Sequence, residues 1–344
     1  MLLSEFDFNL PEELIAQEPL AQRDASRMLV VDRTKGTWHD RSFRDFINYV
    51  QPKDLVVVNN SRVIPARLIG NRKETGGRVE IFLVREVEPL IWEALVRPGA
   101  RLHTGSRVVF GNHQLEAEML DEPGIELRQV RFECEGPFDQ ALATVGSTPL
   151  PPYIKRPEGV SLTDNERYQT VYSKHPGAIA APTAGLHFTP EALDSLRTNN
   201  RLVEITLHVG YGTFEPVRVE DVGHHTVSSE RFEISEGVAA QIKRAREDGG
   251  RVIAVGTTTT RALESASTEE GKIKAGEGEA GLTITPGYQF KVVDILLTNF
   301  HLPQSSLLIL VSAFAGRELI LSAYQHAVKE RYRFYSYGDC MLIV

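Results

Sequence analysis

Short apolar runs set the rhythm of this chain, and their texture changes twice. Near the start, "RMLVVDR" and "DLVVVNN" are unbroken apolar runs between polar residues, the pattern of short buried strands. "LPEELIAQ", with Pro11 early, reads as the start of a helix. The mixture is α/β. From about Gly70 to Thr148 the runs become short and closely spaced, as in "RVEIFLV", "IWEALV", "RVVF" and "VRFECEG", with Gly, Pro, Asn and Asp between them and hardly any helical periodicity. Strands at that spacing predict a small barrel or sandwich. After the Pro-rich junction "STPLPPYIKRPEG", strand and helix alternate to the end. The expected fold is a discontinuous α/β main domain, residues 1–70 and 149–344, carrying an inserted all-β barrel domain at 71–148. "GKIKAGEGEAG", rich in Gly and poor in apolar residues, is expected to be flexible.

In the second half, polar clusters recur where strands end. "VEITLHVGYGTFEPV" runs from an alternating strand into a Gly–Tyr–Gly loop; "RVIAVGTTTTRALESA" and "VVDILLTNFHLPQSSLLIL" run from buried strands into helices. Ligands of open α/β sheets bind beyond the carboxyl ends of strands. "AAPTAGLHFTPEALDSLR" adds a fourth segment, in which Thr189 can cap a helix that Pro190 and Glu191 begin, while Thr183, Gly185 and His187 precede it among small residues that admit a close approach.

Composition narrows the function only a little. A chain of 344 residues can bury a large core, and its formal charge of −8 offers nucleic acid no global attraction, so an RNA partner requires local basic patches. Cys134 and Cys340 are too few for a disulfide framework, and the apolar run "SSLLILVSAFAG" is too short to span a bilayer. A cytoplasmic monomer with no membrane association is the expectation.

Candidate chemistry lies at the strand ends. His187, His208 and His301 each sit there, with Glu215 and Asp294 nearby in sequence, and histidine suits acid–base work near neutral pH. Taken singly, each histidine is more commonly structural. Thr257, Thr258 and Thr259 can offer hydroxyls and free N–H groups to a carboxylate or phosphate at a helix start, or merely cap and solvate it. No H-x-x-x-H or C-x-x-C spacing supports a metal site, and neither a P-loop nor a G-x-G-x-x-G fingerprint is present. Arg62, Arg67, Lys155 and Arg156 flank the two domain junctions and form a candidate phosphate-facing patch, although isolated basic residues are usually solvated surface. Tyr211, Phe214 and Phe300 can stack on a base, although core packing is the commoner fate of an aromatic ring.

Longer motifs are more specific. "APTAGLHFT" (181–189), "HVGYGTFEPV" (208–217), "VGTTTTRALES" (255–265), "TNFHLPQSSLLILVSAFAG" (298–316) and "YRFYSYGDCMLI" (332–343) together resemble the S-adenosylmethionine:tRNA ribosyltransferase-isomerase family of queuosine biosynthesis, and "NNSRVIPARL", "LPPYIKR" and "ERYQTVYS" look like its remaining motifs. The chain departs from the family where H-x-M-H-x-E is usual: it has His225-Thr226-Val227-Ser228-Ser229-Glu230, so a role for the second histidine does not carry over. The resemblance implies transfer of the ribosyl part of S-adenosylmethionine to 7-aminomethyl-7-deazaguanine at a tRNA wobble position, with no further cofactor and no metal. Epoxyqueuosine-tRNA forms, and adenine and methionine leave. On that chemistry His187 or His208 is the candidate base for the C5′ proton, and His301 or Asp294 assists adenine departure or orients the ribose. Glu215 faces a cation, Thr257–Thr259 the methionine carboxylate, and Thr183, Gly185, Tyr211 and Asn299 other parts of the substrate. The competing readings are an S-adenosylmethionine-dependent methyltransferase, disfavoured by the missing Gly-rich fingerprint, and a non-catalytic RNA-binding protein using the barrel, disfavoured by the His, Thr and Asp gathered at strand ends elsewhere.

Overall fold

A computed structural model of the protein describes all 344 residues except Glu158; the side chains of Leu162 and Phe214 also lie outside the description. The main domain is organised by a nine-stranded mixed sheet in the order Gly276–Glu279, Arg231–Ile234, Leu202–Leu207, Leu55–Asn59, Val252–Val255, Ile295–Asn299, Cys340–Ile343, Arg27–Asp32, Thr37–Ser42. Its central four strands, Leu202–Leu207 through Ile295–Asn299, are parallel. Leu55–Asn59, Val252–Val255, Ile295–Asn299 and Cys340–Ile343 are buried at every position, as a sheet covered on both faces requires. Alternate residues serve opposite cores: Leu55 and Val57 pack on one face with Ala254 and Leu296, Val56 and Val58 on the other with Ile253 and Leu297.

The insertion is a closed barrel. Six strands, Arg67–Arg72, Arg78–Glu88, Ile91–Arg97, Arg128–Cys134, Leu115–Met119 and Arg107–Phe110, pair in that order, and Asn71–Val109 and Arg72–Val108 close the ring. Leu115–Met119 and Arg128–Cys134 alternate buried and more exposed positions, so a single core of Leu68, Val79, Ile81, Val108, Ala117 and Val130 fills the inside. The first barrel strand begins at Arg67, inside the stretch assigned from sequence to the main domain, and the short strand Gly146–Ser147 pairs back onto it. A two-stranded parallel sheet of Ser61–Val63 and His175–Ala178 stands at the junction.

Two local expectations give way. "LPEELIAQ" forms only a single 3-10 turn, Glu12–Leu14, because Ala16 N–H is drawn to Phe334 O instead of continuing a helix. "GKIKAGEGEAG" is ordered at its centre: Gly276–Glu279 pairs along Arg231–Ile234 as the edge strand. Backbone pairing supplied by a distant strand overrides the local composition. Among the described residues no single helix is long and apolar enough to cross a membrane.

Candidate active site

Three of the four parallel strands, Leu202–Leu207, Val252–Val255 and Ile295–Asn299, lead at their carboxyl ends into one cavity of about 440 Å³. That volume suits a small organic molecule. Its lining includes Ala180–Ala184, Val209, Glu215, Gly256–Thr258, Thr298–Ser306 and Tyr335–Ser336. The helix Thr257–Ser265 starts at this wall. Gly256 precedes it at φ 93°, a backbone that only glycine adopts freely; no side chain among the described residues caps the helix, and its first residues, Thr257 and Thr258, line the cavity. The Thr258 hydroxyl, buried at the wall, has no partner among the described residues, whereas Thr259 turns inward and donates to Val255 O at 2.7 Å.

Opposite charges are unequally compensated around the cavity. Arg261 donates to Glu230 at 2.6 Å and also to the carbonyls of Ser228, Ala280 and Leu282, while Glu230 accepts from Gly210 N–H at 2.8 Å. Burial raises the Glu230 pKa despite the guanidinium beside it. Glu215 stands on the exposed rim.

Two histidines line this space. His301, fully inside, has Nε2 at 2.9 Å from Thr298 Oγ1, and burial pushes its pKa down to about 3, which leaves the ring neutral at physiological pH. His225, half-buried, has Nε2 at 2.7 Å from Ser306 Oγ, and burial lowers its pKa too.

The other expected acid–base residues lie elsewhere. His187 sits behind the cavity wall with both ring nitrogens engaged, Nδ1 at 2.8 Å from Ser26 Oγ and Nε2 at 3.2 Å from Asn299 Oδ1, and burial lowers its pKa to about 4. The small residues around it do admit a close approach, but the occupant is the protein itself: a Cβ on Gly185 would lie 1.9 Å from the Tyr172 hydroxyl. His208 packs against Gly177 outside the cavity lining, its Nδ1 buried without a partner. Asp294 precedes its strand, at the amino end of the sheet, and accepts from Val252 N–H at 2.8 Å. Tyr211 packs edge-on against Phe82 of the barrel, 5.6 Å between ring centroids, and Phe300 is wholly buried in a cluster with Tyr324, Tyr332 and Phe334. Phe214 is one of the two residues whose side chains lie outside the description.

The four basic residues do not form one open patch. Arg67 is bidentate to Glu80 at 3.1 and 3.0 Å, Lys155 meets Glu12 at 2.5 Å, and Arg156 grips Asp164 twice at 2.9 Å; Arg62 is exposed. Those carboxylates already neutralise three of the four cations.

The profile of the queuosine biosynthesis protein family matches residues 3–343. The chain is 51% identical over its whole length, and over the whole of the relative's, to the S-adenosylmethionine:tRNA ribosyltransferase-isomerase of Desulforamulus reducens, and 49% identical, again full length on both sides, to that of Clostridioides difficile. A crystal structure of S-adenosylmethionine tRNA ribosyltransferase from Thermotoga maritima matches 99% of this chain and 100% of its own, at 36% identity and a TM-score of 0.55. The chain belongs to the S-adenosylmethionine:tRNA ribosyltransferase-isomerase family. It is therefore an enzyme, a transferase-isomerase, and the discontinuous α/β domain with its inserted barrel is the fold of this ribosyltransferase-isomerase.

In this ribosyltransferase-isomerase the site also holds residues that the strand-end pattern passes over: His225, Glu230 and Arg261 on one side, Tyr153, Tyr335 and Ser336 on another. The signal for His225 and Glu230 is the departed H-x-M-H-x-E motif itself, whose Ser228 lines the same cavity. Tyr335 carries a further mark, φ 75°, a left-handed backbone costing a bulky residue on the order of 1–3 kcal/mol. Among the described residues no group of three or more His, Cys, Asp or Glu side chains is placed to hold a metal ion.

Proposed function

We propose that this enzyme transfers and isomerises the ribosyl part of S-adenosylmethionine onto 7-aminomethyl-7-deazaguanine at the tRNA wobble position, giving epoxyqueuosine-tRNA and releasing adenine and methionine. One observation carries the reading. A single cavity presents an uncapped helix N-terminus, a rim carboxylate and an aromatic wall, which complement the carboxylate, sulfonium and purine of one S-adenosylmethionine.

The residues divide the work as follows. The N–H groups of Thr257 and Thr258, with the unpartnered Thr258 hydroxyl, hold the methionine carboxylate. Glu215 faces the sulfonium. The sulfonium acidifies C5′–H, and His225 takes that proton: with Nε2–H given to Ser306 Oγ, its Nδ1 keeps a lone pair, and burial lowers its pKa and so favours the neutral, proton-accepting ring. His301 stays neutral and orients the ribose by hydrogen bonding. Arg62, exposed in the middle of the junction strand Ser61–Val63, is the member of the basic set left to meet tRNA phosphate.

Two samples of S-adenosylmethionine, labelled in the ribose or in the S-methyl group, test the reaction on tRNA carrying the aminomethyl-deazaguanine. Ribose label enters the RNA together with free adenine, methyl label stays with methionine, and an unmodified guanine accepts nothing. Methyl label in the RNA, or S-adenosylhomocysteine among the products, overturns the assignment.

A further inference from the structure

A buried polar chain runs from His187, behind the cavity wall, to Asn299 and Tyr335 in the wall itself. His187 Nε2 faces Asn299 Oδ1 at 3.2 Å, and Asn299 Nδ2 donates to Tyr335 O at 2.9 Å and Ser336 O at 3.3 Å. Because Nδ2 is the donor to those carbonyls, Oδ1 is an acceptor, which makes His187 Nε2 the protonated nitrogen and leaves Nδ1 to accept from Ser26 Oγ at 2.8 Å. Tyr335 N–H donates to Phe300 O at 3.1 Å, and Gly338 N–H donates to Tyr335 O at 2.9 Å. The left-handed Tyr335 is thus tied on both of its backbone groups. Its ring meets Tyr153 edge-on, 3.9 Å between centroids, and the Tyr153 hydroxyl is 2.5 Å from Ser336 Oγ. Both rings line the cavity.

A strained backbone persists only where its surroundings over-determine it, and strain held at a cavity wall marks a group whose placement matters. The geometry points to His187 as a positioning residue: through Asn299 it holds Tyr335 against Tyr153 as an aromatic corner that receives a flat bicyclic nitrogen heterocycle. This rests on the proposed reaction, in which two such rings take part, the adenine of S-adenosylmethionine and the deazaguanine of the RNA. Neutral His187 completes the chain with one donor and one acceptor, Nε2–H to Asn299 Oδ1 and Nδ1 from Ser26 Oγ.

Binary binding measured by calorimetry, without turnover, separates the two sources: S-adenosylmethionine in one arm, an anticodon stem-loop bearing aminomethyl-deazaguanine in the other. Tyr335→Ala is expected to weaken one of them about tenfold, the scale of one base–aromatic stack, and leave the other unchanged. The arm that responds names the ring. His187→Ala is expected to weaken the same ligand and raise its KM about tenfold with kcat within threefold, and His187→Gln, which keeps a donor and an acceptor, to restore most of the loss. Unchanged affinity for both ligands in Tyr335→Ala overturns the proposal. So does a His187→Ala enzyme with intact affinities and kcat down 100-fold, the behaviour of a general base. If His187→Ala fails to fold, Ser26→Ala, which removes the partner of His187 Nδ1 outside the cavity lining, takes its place: a loss of affinity for the same ligand supports the corner, and intact affinities overturn it. Wild-type protein that binds both ligands but transfers no ribose would end the reaction reading while leaving the aromatic corner to stand or fall on these affinities.

Discussion

The two ends of the central sheet use similar residues for different purposes. At the amino end, Asp54 and Asp294 are spent on the fold: Asp54 accepts from Gln51 N–H and Arg251 N–H at 2.9 Å and from the Arg251 guanidinium at 2.6 Å, and Asp294 accepts from Val252 N–H. Burial pushes the Asp54 pKa up, but the guanidinium and the two N–H groups outweigh it and hold the carboxyl below its usual range. At the carboxyl end, Thr258 has no partner for its hydroxyl among the described residues, and none of their side chains caps the helix start beside it. Polar groups satisfied by protein stabilise it, whereas those aimed into a cavity await a ligand. Strand direction decides which fate a polar residue meets.

The largest effect expected at the carboxyl end is on His225. His225→Ala should lower turnover at least about 10²-fold, the lower bound for a general base, while the thermal midpoint barely moves. Near-wild-type turnover in a single-turnover assay would return the search for a base to His301, and the comparison would then hold with a different residue.

A second prediction concerns two buried imidazoles, His301 in the cavity and His187 behind its wall. The folded pKa values, about 4 for His187 and about 3 for His301, lie below the free value of about 6.5. Folding favours the neutral rings, so their contribution is complete above pH 6.5, falls as pH drops from 6.5 toward 4 and 3 respectively, and is flat below. For His187 the span is worth about 3 kcal/mol. Denaturant titrations of wild type and His187→Gln at pH 7 and pH 5 should converge as the pH falls; a constant gap would mean that the ring does not titrate with folding.

Much of this arrangement is legible in sequence, and the misses have physical causes. Glu215, Thr257, Thr258, Asn299 and His301 share the cavity because each ends or follows an apolar strand run, and such runs are local signals; Thr183 joins them although the strand before it, His175–Ala178, is mostly exposed or half-buried. Tyr153 and Ser336 meet across 183 residues, and His187 and Asn299 across 112, separations that no local period encodes. His187 and His208 are in family-like loops but turn away from the cavity, since a motif marks a segment and not the direction of one side chain. The barrel is legible through its close strand spacing, yet its first strand is hidden in "ARLIGNR", where the inward positions are Leu68 and Gly70 and the apolar Ile69 faces out, so the sequence shows no apolar–polar alternation.

At the amino end, Asp54→Ala should cost about 2 kcal/mol of stability, because it strands two N–H groups and leaves Arg251 with only Tyr49 O among these partners. Turnover per folded molecule should be unchanged. A catalytic defect at constant stability would break the division between the two ends.

The smallest effect, and the sharpest test of strand direction, is Asp294→Ala. The run "VVDILLTNF" hides where its strand begins, since Val292 and Val293 are as apolar and as buried as Ile295 and Leu296. Only the backbone pairing shows that the strand is Ile295–Asn299 and that Asp294 precedes it, with Asn299 at the cavity and Asp294 at the far end. The Asp294 carboxylate satisfies Val252 N–H, the first donor of the neighbouring strand, while the Asp294 backbone N–H donates to Val252 O at 3.0 Å and its carbonyl accepts from Arg33 at 2.9 Å. Those backbone bonds survive the substitution. One neutral donor loses its partner, so the loss should be about 1 kcal/mol, and Asp294→Asn, which retains an oxygen acceptor, should recover most of it. Both variants should turn over within twofold of wild type. A kcat lower by 100-fold or more in Asp294→Ala, with the thermal midpoint little changed, would place this carboxylate in the chemistry after all.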